Sequence, residues 1–199
     1  MAISIDDIKR LKNLTGVGLT DAKAALTEAD GDFDKALEAM RKKGLTKADK
    51  KGEREAREGL VETYLHSGRI GVVVEVNCET DFVARTDDFK AFVHDVAMHV
   101  AAANPEYVSV DEIPVDVRDA KSAELTEKAK AEGKPEAMLA NIVDGMLKKH
   151  FAERCLLDQP FIKNPDQTVG DLLKEHIAKL GENMVIRRFA RIELGQVEG

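Results

Sequence analysis

Between residues 59 and 77 the spacing of apolar side chains shifts from the helical period to a period of two, and no other stretch limits the fold so strongly. Val61, Thr63 and Leu65 alternate ahead of a Ser67-Gly68 turn, and Ile70, Val72, Val74 and Val76 alternate with Gly71, Val73 and Glu75 after it. This is the pattern of a β-hairpin with one apolar face. Its second strand hands the chain to NCETDFVA at 77–84, where Asp81 and Phe82 stand side by side just past the last apolar residue. A bulky aromatic beside a carboxylate at a strand end fits poorly into a core, so the pair is expected to act on a partner.

Helices surround this hairpin. Thr86 caps a helix with Asp87 and Asp88 in its first turn, Phe89, Phe92, Val93, Val96 and Val100 as its buried stripe, and Asn104-Pro105 as its end. Residues 115–132 and the run from Leu139 to Phe151, separated by a Gly133-Lys-Pro135 break, form an antiparallel helical hairpin. Thr168 and Asp171 make a capping box for a helix bearing Leu172, Leu173, Ile177 and Leu180, which Gly181 stops. The last strong element, 184–194, alternates Ile186, Arg188, Ala190, Ile192 and Leu194 against Val185, Arg187, Phe189, Arg191 and Glu193. Neither face is cleanly polar. A third strand beside the hairpin gives a small antiparallel sheet, with one side under helices and the other open to a second copy of the chain.

Ahead of the sheet, Ser4 and Asp7 open a short helix as a capping box, Gly16-Val17-Gly18 interrupts it, and two more helical runs follow, broken at Gly31 and stopped at Gly44. The fold class expected is α+β. A three-helix module of the ubiquitin-associated type at 1–45 precedes a charged, partly helical linker at 46–58 and an α+β core at 59–199. Residues 41–58 hold eight Arg and Lys against four Asp and Glu, with no aromatic interleaved for base stacking, so a solvated linker is expected over a nucleic-acid patch. Val17 and Leu19 lie in a glycine-flanked loop of the kind that is usually exposed, which favours a docking role for the module.

Charge and motifs exclude several function classes. A net charge of −7, from 37 acidic and 30 basic residues, opposes the sign that phosphate neutralisation demands of a duplex-binding protein, so no direct nucleic-acid partner is expected. No stretch approaches the roughly 18 apolar residues of a membrane span, and the start reads as no signal peptide, which points to a soluble cytoplasmic protein. Phosphate-loop, nucleophile-elbow and zincin patterns are missing, so neither an enzyme nor a cofactor is expected. The DGDFD run at 30–34 would need Gly and Glu where Lys35 and Arg41 stand to be a calcium loop. Cys78 and Cys155 match no ligand spacing, and His94 and His99 sit about 140° apart on a helix, so all four are read as structural or surface groups.

TGVGLTDAKAAL at 15–26, KKGLTKADKK at 42–51, NCETDFVAR at 77–85, QPF at 159–161 and GENMVIRRFAR at 181–191 together resemble the bacterial elongation factor Ts family, in its short form, over nearly the whole chain. The resemblance implies guanine-nucleotide exchange on elongation factor Tu, without bond-making chemistry. It implies that Thr80, Asp81, Phe82 and Val83 act as a wedge into the GTPase near its magnesium and phosphate site. Leu11, Val17 and Leu19 map to the contact made by the N-terminal module, where Thr20 departs from the large apolar residue of many members. Tyr64-x-His66 resembles a contact to the GTPase's third domain. A single copy of the hairpin and motif implies a homodimer, noncovalent because Ala190 stands where some short forms carry a cysteine. The rival reading is a ubiquitin-associated-like interaction or chaperone-type protein without exchange activity, which leaves NCETDFVA unused.

Overall fold

The computed structural model describes residues 3–15, 18–40, 51–52 and 54–196. Strands β1 (Glu58–His66) and β2 (Ile70–Cys78) pair antiparallel from Glu58↔Cys78 to His66↔Ile70. Ser67 and Gly68 supply the positive φ angles, 51° and 67°, that a tight turn matched to strand twist requires. The last long strand, here β5 (Met184–Glu193), lies antiparallel on the other side of β2, giving the order β1-β2-β5. Gly59 has φ 147°, and a Cβ there would lie 2.1 Å from the Val76 carbonyl oxygen, so only glycine lets the two strands meet at that point.

The inner face of the sheet carries Val72, Val74 and Val76 of β2 with Met184 and Ile186 of β5. Against it pack helix α5 (Asp87–Ala103), through the expected Phe89, Phe92, Val93, Val96 and Val100, and helix α8 (Val169–Leu180), through Val169, Leu172, Leu173 and Ile177. Thr86 caps α5 by accepting from the Phe89 N–H at 3.2 Å, and Asn104 ends it in the left-handed conformation. The box at Thr168 and Asp171 forms in both directions, and Gly181, φ 81°, closes α8.

Two face assignments differ from expectation. Val61, Thr63 and Leu65 pair with Glu75, Val73 and Gly71, which puts them on the outer face, while Leu60 and Tyr64 turn inward. Alternation gives a strand's two faces without saying which is buried, and here helix α5 covers the face with the aromatic. In β5 a bulge opposite Glu75/Val76 leaves Arg187 as the extra residue, so Ile186 and Phe189 both face the core. That shift of parity is why strict alternation yields two mixed faces.

Helices α6 (Val115–Ala131) and α7 (Leu139–Ala152) form the helical hairpin, with Leu125, Ala129 and Val143 as its own small core. A two-stranded ribbon, β3 (Pro160–Phe161) with β4 (Asn164–Thr168), connects to α8. His99 is fully buried between these parts. Its Nδ1 accepts from the Ile162 N–H at 3.3 Å and its Nε2 lies 3.0 Å from the Gln159 side-chain oxygen Oε1, so both ring nitrogens are satisfied. His94, by contrast, lies exposed on the same helix beside Glu62 and the Tyr64 ring.

Ahead of the sheet, α1 (Ile5–Thr15), α2 (Leu19–Glu28) and a helical stretch at 33–40, α3, enclose a separate cluster of Leu11, Ala22, Ala25, Leu26, Ala36 and Met40. The Ser4 hydroxyl accepts from the Asp7 N–H at 3.0 Å, the forward arm of the expected box. The stop at Gly44, the linker residues 46–50 and Val17 lie outside the described residues. No helix among the described residues is long and apolar enough to cross a membrane.

Candidate functional site

Where β2 ends, the chain folds into a single helical turn, α4 (Asp81–Ala84). Thr80 is its N-cap, extended at φ −129°, with its hydroxyl oxygen accepting from the Val83 N–H at 3.4 Å. The turn is amphipathic. Val83 and Ala84 pack against the central core while Phe82 is 79% exposed. Asp81 bridges to Arg85 at 2.8 Å, leaving its carboxylate half in solvent. Covering a ring so exposed by a partner's apolar surface contributes about 2 kcal/mol.

The base of the turn is held from the far end of the chain. Glu182, in the loop between α8 and β5, accepts from the Thr80 hydroxyl at 2.6 Å and from the Thr80 N–H at 3.0 Å. Glu79 returns the interaction by accepting from the Asn183 N–H at 2.6 Å. The buried Asn183 side chain donates to the Gly52 and Arg54 carbonyls at 3.3 and 2.6 Å, which pins the end of the linker to the same loop. Arg187, the bulge residue, donates to the Asn77 side-chain oxygen at 3.0 Å. None of these partners carried a role in the sequence reading. Their only signals are that Asn77 and Glu79 lie in NCETDFVAR and that Glu182, Asn183 and Arg187 lie in GENMVIRRFAR, after a helix stop.

Cys78, at the same strand end, is fully buried, and its Sγ lies 3.1 Å from the Thr80 carbonyl oxygen. Burial first, then the Glu182 charge, push its thiol up to about 11, so it stays protonated at neutral pH and is a poor nucleophile. Cys155 is likewise pushed up to about 11 by burial. Among the described residues no group of three or more His, Cys, Asp or Glu is arranged to hold a metal ion.

Thr80, Asp81, Phe82 and Val83 thus share one turn, whereas the other candidate residues are scattered. His66 is exposed at the opposite end of the hairpin, roughly 27 Å away at about 3.3 Å per residue of strand. Its Nδ1 lies 3.1 Å from the Tyr64 hydroxyl. Leu19 is 54% exposed at the start of α2, and Thr20 beside it is exposed. Leu11 differs from expectation as a contact residue. Its side chain has no exposed surface, because it fills the middle of the three-helix cluster.

A small antiparallel sheet roofed by helices, with a helical hairpin at one side and an exposed aromatic turn at the end of its middle strand, is the architecture to be matched. The family model described as elongation factor TS matches residues 34–177. Elongation factor Ts of Carboxydothermus hydrogenoformans is 56% identical over 190 residues, covering 95% of this chain and 88% of the relative. That of Alkaliphilus metalliredigens is 54% identical over 196 residues, 98% of this chain and 91% of the relative. That of Caldanaerobacter subterraneus subsp. tengcongensis is 53% identical over 195 residues, 98% of each chain. These relatives are translation elongation factors by name and by family, and their matches span 95–98% of this chain. The chain belongs to the elongation factor Ts family.

Proposed function

We propose that this translation elongation factor promotes release of GDP from elongation factor Tu, and that Thr80, Asp81, Phe82 and Val83 form the wedge that does so. The observation that carries the reading is the 79% exposure of Phe82 on a turn whose neighbours are anchored. A rigid aromatic of this kind is a typical hot-spot anchor, able to fill a gap between the partner's helices. Asp81, half exposed beside it, accepts hydrogen bonds and adds negative charge near the site of magnesium and phosphate. The protein makes and breaks no bond in this scheme. It lowers the barrier to nucleotide release, and the nucleotide pools set the direction.

The N-terminal residues 1–45 form, in this reading, a ubiquitin-associated-like docking module joined by the linker at 46–58 to the core at 59–199. Its buried cluster shares no residue with the central core, which supports that division. Leu11, Val17 and Leu19 are its contact residues in this reading, Leu19 exposed and Leu11 within the module's buried cluster. His66 supplies a further contact at the hairpin turn. The outer sheet face, with Val61, Leu65, Val73 and Ile192 exposed, suits pairing of two chains into a noncovalent homodimer. A cytoplasmic location follows from work on the ribosome's supply of aminoacyl-tRNA, and no direct nucleic-acid contact, membrane or cofactor is involved.

Release of a fluorescent GDP analogue from elongation factor Tu tests the reading. The full chain accelerates release, and Phe82→Ala slows it by at least about tenfold, the loss expected of an interface anchor, while its thermal unfolding stays near that of the parent. A folded Phe82→Ala protein with undiminished exchange would sink the wedge.

A further inference from the structure

The helical turn that carries Phe82 is too short to hold itself. It is four residues long, and an isolated turn lies on the unfavourable side of helix nucleation. Its own cap is weak, at 3.4 Å between the Val83 nitrogen and the Thr80 oxygen. Phe82, being exposed, gains no fixed direction from packing. Something outside the turn must set the angle at which the ring projects.

The structure assigns that task to Glu182, which we propose is the positioning residue of the exchange wedge. The proposal rests on the wedge reading above and adds to it the group that aims the wedge. A hydroxyl has one proton and two acceptor lone pairs. By taking the Thr80 proton at 2.6 Å, Glu182 turns a lone pair toward the Val83 N–H, so the cap on the turn is dictated from 102 residues away. Its second oxygen takes the Thr80 N–H at 3.0 Å, which fixes the backbone where the strand becomes the turn. Both bonds are charge-assisted and converge on one residue, so they restrain translation and rotation of the turn together.

Glu182 is itself held. Gly181 stops α8 with its N–H bonded to the Ile177 carbonyl at 3.0 Å, and the Asn183 N–H is bound by Glu79 at 2.6 Å. The two loops therefore grip each other reciprocally: Glu182 takes the N–H of residue 80, and Glu79 takes the N–H of residue 183. Asn183 extends the grip to the Gly52 and Arg54 carbonyls, so the last part of the linker shares the same anchor.

The test is a double-mutant cycle on the full chain, reading the maximal rate of GDP-analogue release at saturating exchanger. Glu182→Ala slows release about tenfold or more, the worth of hydrogen bonds to a charged group. Glu182→Gln, which keeps one acceptor oxygen, falls between Glu182→Ala and the parent and keeps the question open to measurement where the alanine variant fails to fold. The Phe82→Ala/Glu182→Ala double variant is no slower than the slower single variant, because a ring that is absent cannot be misaimed. A general loss of structure would instead multiply the two effects and lower the unfolding midpoint in proportion. Full exchange by a folded Glu182→Ala protein beside a crippled Phe82→Ala protein overturns the positioning role and leaves the wedge standing. Losses that multiply also overturn it. Undiminished exchange by Phe82→Ala overturns the wedge itself, and the positioning role with it.

Discussion

His99 and His176 couple proton uptake to stability. Burial holds both imidazoles below the ordinary value of 6.5, although Gln159 supports the charged form of His99 and the Leu172 carbonyl that of His176. His176 lies on the Phe92 ring at 4.6 Å between centroids, with Lys179, Glu175 and Asp88 as the charges around it. In the unfolded chain these groups protonate near 6.5, and the folded chain refuses the proton until lower pH. The unfolded state therefore binds more protons once pH falls below about 6.5, and the stability present above that point declines on acidification. The unfolding midpoint is expected to fall between pH 7.5 and pH 5.5, with a shallower fall in His176→Leu. Equal slopes for parent and variant would remove His176 from this account. Residues of this kind were only half legible in the sequence. The spacing of His94 and His99 on one helix excludes a metal shared between them, but nothing local says that His99 meets Gln159, because the two are 60 positions apart. Phe82 was legible because no stripe had room for it, whereas Glu182 was not, because its partner is 102 positions away.

At the scale of elements, helices were easier to read than strand faces. Thr86, Thr168, Asn104 and Gly181 mark helix ends through their own backbone and side-chain chemistry, and the structure places each as a cap. A strand carries no such local mark of which face is covered, so β1 turned the other way. The bulge at Arg187 is a property of the pairing between β2 and β5 and is invisible in either alone. The corrected faces matter for assembly. Val61, Leu65, Val73 and Ile192 are between 45% and 73% exposed on the outer side, a row of apolar groups across all three strands. Arg188 and Glu75, paired at 2.7 Å, bound the row at one end. Val73, on the middle strand, sits at its centre. Val73→Lys is expected to convert a dimer to a monomer in light scattering at tens of micromolar while leaving the unfolding midpoint little changed, since that side chain is 45% exposed and lies outside the buried core. A parent protein that is monomeric at the same concentration would remove the outer face as an interface.

For the whole molecule, the proposed wedge makes a thermodynamic demand that rate measurements alone do not test. A protein that speeds GDP release merely by lowering a barrier could bind the nucleotide-free and GDP-loaded GTPase equally well. A wedge cannot, because the turn bearing Phe82 and the phosphate site with its magnesium compete for one arrangement of the partner. Linkage then fixes the size of the effect from both sides. Whatever factor the exchanger takes from GDP affinity, GDP takes from exchanger affinity, and coupling between sites is typically about 5- to 150-fold. Four equilibrium constants close the cycle: GDP with and without this protein, and this protein with and without GDP. The two ratios are expected to agree and to exceed about fivefold. In Phe82→Ala both ratios shrink toward unity together, since the residue that cannot coexist with the closed site has gone. In the proposed docking role, the N-terminal module, whose cluster is separate from the core, adds affinity without competing for the nucleotide site, so Leu19→Ala is expected to weaken binding equally in both nucleotide states and to leave the ratio unchanged. A ratio of one for the parent protein, with release still accelerated, would mean that Phe82 and its turn act by some route other than insertion.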